Sequence, residues 1–298
     1  MNRNITYVIP CEKAGLTIQQ FLKEKGYTHG VIVLLKRTQN GIRRNGIWAK
    51  TSDILQSDDL LEILLCEVIA DTSIIPENGA LSIVYEDEDI LVVDKPHHMP
   101  VHPSMGHVTQ TLANVVCGYY QNQDELFTFR CINRLDRDTT GLTIIAKHML
   151  SAGILGQSMK CRQIHRTYYA ICQGKVPEEG TIDAPIARMA ESIILRQVDD
   201  DHGESAITHY QRIQYHADED LSLVKLTLDT GRTHQIRVHM NHIGHPLIGD
   251  FLYHPSSMQM SRQALHSGEL EFIHPITNTK MHIKSPLPDD FKCFFPNF

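Results

Sequence analysis

The sequence predicts a mixed α+β fold: a large domain around a largely antiparallel β-sheet with flanking helices, preceded by a small α/β module. Three observations predict it. The 298 residues exceed the usual span of one domain, roughly 100–200. Charge shifts along the chain: residues 1–66 hold nine Lys/Arg against six Asp/Glu, and residues 67–298 hold nineteen against twenty-nine. In the larger part, short apolar strands follow one another without regular alternation of strand and helix, which argues against a parallel βαβ sheet. The expected boundaries are a module at 1–66, a connector at 67–80 that ends in Pro76-Glu77-Asn78-Gly79, and a domain at 81–298.

In the module, Leu16 to Lys25 reads as an amphipathic helix. Ile18, Phe21 and Leu22 fall at i, i+3 and i+4 behind the N-cap candidate Thr17. A second helix is expected over Val31 to Arg37. Asn40-Gly41 and Asn45-Gly46 are turn signals around two short extended pieces, Ile42 to Arg44 and Ile47 to Ala49. Leu60 to Leu65 closes the module as a strand. In the large domain, strands are expected at Ile83 to Tyr85, Ile90 to Val93, Leu142 to Ala146, Thr167 to Cys172, Ala206 to Tyr215 and Leu221 to Leu228. Helices are expected at Thr109 to Tyr120 and Ser151 to Met159. A third starts after Gly231, with Thr233 as its N-cap.

Composition narrows the class. Hydrophobic residues at 42% and charged residues at 21% exclude a mainly disordered or fibrous chain. The seven cysteines are dispersed, and no pair is spaced C-x-x-C. This reads as reduced, mostly buried thiols in a cytosolic protein, without disulfides or a thiolate zinc site. Met1 to Gly15 lacks the pattern of a signal peptide. No run approaches the roughly 18 apolar residues of a membrane span. The expected location is the cytoplasm, with no membrane partner. The net charge of −7 argues at first against nucleic acid, because phosphates attract basic surfaces.

Asn133-Arg134-Leu135-Asp136-Arg137-Asp138-Thr139-Thr140-Gly141 is the densest chemical segment, placed between Cys131 and the apolar strand from Leu142. A loop held by a rigid strand is a common seat of function. Neighbouring cations favour an ionised carboxylate, and an ionised carboxylate can act as a nucleophile. The competing reading is an exposed loop of surface ion pairs. In Gly231 to His239, Ile236, Met240 and Ile243 form an apolar stripe. Arg237 lies off its centre and could reach a carboxylate on another element. His234, His239, His242 and His245 are spaced five, three and three apart with no acid among them. That suits hydrogen bonding better than a metal centre. Tyr168 and Tyr169 fall on one strand and face opposite sides, so one can line a cleft while the other packs.

Together, R-L-D-x-x-T-T-G at 134–141, R-x-Y at 166–168 and G-R-T-H-Q-I-R-x-H at 231–239 resemble the RluA/RluD-type RNA pseudouridine synthases. Asp94-Lys95-Pro96 resembles the D-K-P strand end of that family. His245 to Asp250 resembles its H-P-L-x-G-D segment. The resemblance covers about residues 81–290. Residues 1–66 resemble, less closely, a small RNA-binding module first seen in a ribosomal small-subunit protein.

The resemblance implies roles at matching positions. Asp136 would be the catalytic aspartate, Arg237 its basic partner, and Tyr168 the ring under the target uracil, implicated in proton removal. Arg134 would enter the RNA where the base leaves. The expected RNA contacts are Arg134, Arg137, Lys36, Arg37, Arg43, Arg44, Arg232 and His234. Asn133 departs from the family's usual His, Thr140 from its Ser, and Arg166 from a common Lys. The implied activity is the isomerisation of uridine to pseudouridine, most of all in ribosomal RNA, with transfer RNA as the alternative. The rearrangement is redox-neutral, so no cofactor or metal is expected, nor an obligatory protein partner. The carboxylate would attack the sugar or assist elimination there. Two rivals are a glycoside hydrolase using Asp136 and Asp138, and a non-catalytic RNA-binding protein.

The negative total is an average. Residues 36–50 carry five basic groups and no acid, and residues 128–168 carry seven basic against two acidic. A basic cleft and module on an acidic body are therefore expected.

Overall fold

The computed structural model describes residues 2–67, 73–104, 106–257 and 259–296. Part of the expected connector, residues 68–72, lies outside the described residues. Residues 2–66 contain four strands, β1 (Asn2–Val8), β2 (Ile42–Arg44), β3 (Ile47–Trp48) and β4 (Leu60–Cys66), in the antiparallel order β1-β4-β2-β3. Two helices cover them, α1 (Ile18–Glu24) and α2 (His29–Arg37). Thr17 starts α1 with a capping box: its hydroxyl accepts from Gln20 N, and Gln20 Oε1 accepts from Thr17 N. Asn45 and Gly46 both take positive φ, the geometry of a two-residue hairpin turn between β2 and β3.

The module does not close its core alone. Phe21, Leu22, Val31 and Leu61 pack with Leu150, Met149, Ile154 and Ile276 of the larger part. Arg3 on β1 pairs with Glu88 and Asp89, each at 2.7 Å. Glu67 pairs with Arg130 and accepts from Met149 N at 2.6 Å.

Next come β5 (Ile83–Glu86), β6 (Ile90–Lys95), α3 (Leu112–Gln121), β7 (Thr140–Ala146), α4 (Met149–Lys160), β8 (His165–Gln173) and β9 (Glu179–Asp183). A hairpin of β10 (Ile186–Arg188) and β11 (Arg196–Val198) follows, then β12 (Ile207–His216), β13 (Leu221–Leu228) and α5 (Gln235–His242). The chain ends with β14 (Leu265–Ile273), β15 (Lys280–Lys284) and α6 (Asp289–Lys292). The main sheet runs β5-β6-β7-β14-β8-β13-β12-β9, with β15 on β14. Among the described residues its one parallel pairing is β7 with β14. The fold is the expected mixed, largely antiparallel α+β class.

β6 and β7 are apolar on both faces because helices cover both. Leu91, Val93 and Ile145 meet Leu112 and Val116 of α3, while Ile90, Val92 and Ile144 meet Leu155 of α4. Each such side chain contributes about 1.5–3 kcal/mol on burial, against the cost of ordering it. Gly141, the second residue of β7, sits at φ 111°, where a Cβ would collide with the Ser267 backbone of β14. Gly141 is therefore a condition for the parallel pairing that seats the loop before it.

The cysteine expectation needs correction. Cys11, Cys161 and Cys293 are exposed, Cys66 and Cys131 are half-buried, and Cys117 and Cys172 are buried. Free thiols need no core position when no oxidised partner lies near. Among the described residues no helix is long and apolar enough to cross a membrane.

Candidate active site

The loop from Asn133 to Thr140 is fastened from several sides. Asn133 is buried; its Nδ2 donates to Leu142 O at 3.0 Å and its Oδ1 accepts from Ile144 N at 2.8 Å. Lys95, at the end of β6, has no exposed surface. Its Nζ donates to the carbonyls of Pro96, Met99 and Arg137, each at 2.9 Å, so three N–H groups meet three acceptors. Burial pulls this ammonium down to about 7, with Asp138 and Asp136 opposing. Arg262, bidentate on Asp290, donates to Asp138 O at 3.3 Å. Thr140 Oγ1 lies 2.9 Å from His266 Nδ1.

Asp136 projects from this loop with its side chain 27% exposed. α5 brings Arg237 to it from 101 residues away: Nη1 donates to Asp136 Oδ2 at 3.0 Å. The other two nitrogens, Nε and Nη2, each bond a buried oxygen of Asp250 at 2.7 Å. Burial disfavours the charged guanidinium, but Asp250 and Asp136 outweigh it and hold its pKa above the usual value. Asp250 Oδ1 also accepts from Leu252 N and Tyr253 N. Gly249 permits that turn, since a Cβ there would strike the Arg262 carbonyl. Asp136 Oδ1 receives no hydrogen bond from the described residues.

Tyr168 on β8 is buried and borders the same space. Burial pushes its phenol up; Arg166 pulls it back and Asp136 adds to the rise. The resting side chain is the neutral phenol. Tyr169 faces the other way, and its hydroxyl donates to Glu269 at 2.9 Å.

A cleft of about 940 Å³ opens beside Asp136. Arg134, Lys160, Arg162, Arg166 and Arg232 line it, against the acids Asp136 and Asp229. A smaller recess of about 60 Å³ shares Arg134, Asp136 and Arg232 with the cleft and adds Tyr168, His234 and Arg237. A cleft of this volume is of ligand-binding size, and its cations suit a phosphate-bearing chain. Arg134 is exposed and makes no hydrogen bond or ion pair among the described residues.

The structure thus brings together Asp136, Tyr168, Arg237, Arg134, Arg232 and His234. It does not bring the other expected contacts with them. Arg137 turns to Asp138, with Nη2 at 2.8 Å, and does not line the cleft. Lys36, Arg37, Arg43 and Arg44 also stay outside its lining. Arg43 donates to Glu62 at 2.7 Å and Arg44 to Ile54 O at 2.6 Å, so strand β2 spends both on its own module. The basic cleft is present, but the basic run of the module does not join it. The expected cap is corrected too. His234, not Thr233, precedes α5, at φ 59°, and its side chain caps no helix N–H.

Sequence reading missed Lys160, Arg162 and Arg166 as cleft residues, although their density in residues 128–168 was a usable signal. It also missed Asp250 as the anchor of Arg237 and Tyr253 as a neighbour of His234. The four histidines do not converge. His239 bonds Thr208 and the Ala184 carbonyl, His245 bonds the Gln173 carbonyl, and His234 bonds Tyr253.

Residues 89–242 match the family model described as RNA pseudouridylate synthase. The chain is 38% identical over 276 residues to the uncharacterized RNA pseudouridine synthase YjbO of Bacillus subtilis, covering 92% of this chain and 96% of that one. It is 36% identical over 298 aligned residues to the ribosomal large subunit pseudouridine synthase D of Pseudomonas aeruginosa, covering 95% and 92%. That match takes in most of the N-terminal module. Among solved structures, human RNA pseudouridylate synthase domain containing 1 superposes with a TM-score of 0.58 at 27% identity, over 70% of this chain and 86% of that one.

Proposed function

The chain belongs to the RNA pseudouridylate synthase family, and from that premise we propose that it acts on ribosomal RNA through Asp136, Arg237 and Tyr168. The activity is an isomerisation. The bond from ribose C1′ to uracil N1 breaks, a bond from C1′ to uracil C5 forms, the C5 proton leaves, and N1 gains a proton.

The observation that carries the reading of the site is the placement of Asp136 at the mouth of a basic cleft, with Oδ2 taken by Arg237 and Oδ1 free. Oδ1 is the oxygen available to attack C1′. Arg237 is itself locked by Asp250, so it fixes the position of the carboxylate without moving. The target uridine must leave its stack to reach this depth, at a cost of a few kcal/mol. Arg134, unpaired at the rim, is placed to fill the gap. Tyr168 offers a ring for the base and, in its phenolate form, an oxygen that takes the C5 proton. Lys160, Arg162, Arg166 and Arg232 supply counter-charge to the flanking phosphates.

Ribosomal RNA is favoured by the Pseudomonas aeruginosa relative, which is aligned over 92% of its own length. That substrate assigns the enzyme's work to the cytoplasm. The test is pseudouridine mapping of total RNA from cells with and without the gene, joined to tritium release from ribosomal RNA carrying 5-tritiated uridine. Loss of one or more ribosomal sites, and release by wild-type protein but not by Asp136→Asn, is the expected result. Loss confined to transfer RNA overturns the substrate. Undiminished release by Asp136→Asn overturns the nucleophile.

A further inference from the structure

His234 occupies an unusual place. It takes the left-handed backbone conformation, φ 59° and ψ 17°, in front of α5, yet its ring gives no cap to the helix. An N-cap residue ordinarily turns its side chain back to the first helical N–H groups. Here the ring turns into the recess shared with Asp136, Tyr168 and Arg237, and its side chain is 11% exposed.

A chain of hydrogen bonds reaches its ring. Tyr253 Oη accepts from the Arg196 backbone N–H at 3.0 Å and lies 2.9 Å from His234 Nδ1. The Tyr253 hydroxyl proton has no other acceptor among the described residues, which favours its donation to Nδ1. Nδ1 is then the acceptor nitrogen, and a neutral ring carries its hydrogen on Nε2. Burial keeps the ring neutral: it pulls the imidazole down, Arg237 and Arg196 pull the same way, and Asp136 and Asp250 oppose. Nε2 lies 3.8 Å from Asp136 Oδ2, too far for a hydrogen bond, and that oxygen is already held by Arg237. In that tautomer His234 turns an N–H donor into the recess beside Asp136, with no acceptor for it among the described residues.

Taking the reading of Asp136 above as its basis, we propose that His234 is a catalytic residue that donates its Nε2–H to a carbonyl oxygen of the departing uracil. When C1′–N1 breaks, the electron pair stays with the base, and the resulting anion spreads over N1 and the carbonyl oxygens. A fixed donor at such an oxygen lowers the barrier to breakage. The neutral state is part of the device. An imidazolium could give N1 a proton and let the base go as free uracil. A neutral imidazole N–H is too weak an acid for that, so it holds the anion while the base turns to present C5. No proton leaves His234 in the cycle.

The test uses the full-length enzyme and ribosomal RNA labelled with 5-tritiated uridine. In wild-type protein, nitrogen-15 NMR of His234 is expected to show the Nε2–H tautomer, and Tyr253→Phe is expected to shift it toward a mixture. His234→Ala is expected to lower kcat by about 100- to 1,000-fold with RNA affinity and Tm nearly unchanged. His234→Gln, which restores an N–H, is expected to recover about tenfold or more of that loss. A wild-type Nδ1–H tautomer overturns the proposal, as does unchanged kcat in His234→Ala. Equal loss in the Ala and Gln variants, with affinity and Tm intact, also overturns it. Each of these requires a wild-type enzyme that turns over. No turnover by wild-type protein on any RNA instead overturns the reading of the site itself.

Discussion

Asp250 takes two of the three guanidinium nitrogens of Arg237 and leaves Nη1 as the one that meets Asp136. The pair proposed to act in catalysis is thus part of a triad in which the innermost carboxylate sets the angle of the arginine. Asp250→Asn replaces one acceptor with a donor that faces another donor, so the fork loses its two-point hold. A displacement of about 1 Å in a catalytic group costs about 100-fold. The expected result is a fall of that order in kcat with KM little changed, read by tritium release. Asp250→Ala leaves a buried guanidinium with one partner and should cost about 3–5 kcal/mol in chemical denaturation.

Tyr168→Phe keeps the ring and removes the hydroxyl. If the ring supports the base and the oxygen handles the C5 proton, RNA affinity holds while tritium release slows by about 100-fold or more. The pH profile adds a sign. Burial raises the phenol pKa, so the phenolate is a minor form at neutral pH and grows as the solution becomes alkaline. The wild-type rate should therefore climb on the alkaline side, and that climb should be missing in Tyr168→Phe. A flat wild-type profile would remove the hydroxyl from proton transfer.

Asn133 stands where the family more often has His, and it satisfies one donor and one acceptor of β7 at once. Asn133→Ala strands the Ile144 amide and the Leu142 carbonyl in a buried setting. Each unsatisfied group costs about 1–3 kcal/mol. A drop in Tm is expected, with a loss of activity that tracks the loosened loop. A variant as stable as wild type would show that water or a shifted backbone repairs the gap.

His266, against Thr140 of the same loop, is pulled down by burial to about 4. The unfolded chain takes up this proton near 6.5, before the folded chain does. Stability therefore falls as pH drops from about 6.5 toward 4, with a slope of at most about 1.4 kcal/mol per pH unit. Denaturation series across that window should show the slope in wild type and a shallower one in His266→Gln.

Legibility followed locality. The start of α1 was readable because Thr17, Gln20 and the apolar triplet lie within one turn and make their contacts there. β1 was not, because only Ile5 is fully buried and the strand is held by its pairing with β4, more than fifty residues away. β14 was missed although it sits in the middle of the main sheet. Its Ser267-Gly268 breaks the apolar run, and a register shift lies beside it. The contact of Arg237 with Asp136 was an open possibility in the sequence, as one arginine off an apolar stripe. Its anchor Asp250 was not foreseen, because nothing local tells a buried acceptor from a turn aspartate. His234 was placed one step wrong at the helix start because Thr is the better cap by side chain, while the backbone turned at the next residue.

The shared core at Leu150 and the Arg3 pair with Asp89 make the N-terminal module a caliper rather than a leash. A tethered module searches a volume and adds avidity to any RNA within reach. If RNA touches the module as well as the cleft, a module seated in the same core as its neighbour holds the two contacts at a set separation. Such an enzyme rewards substrates whose folded shape presents both points together, and it gains nothing from an RNA that presents one. Cutting the module away would also bare Met149, Leu150 and Ile154, so a truncated chain would report on aggregation before it reported on recognition.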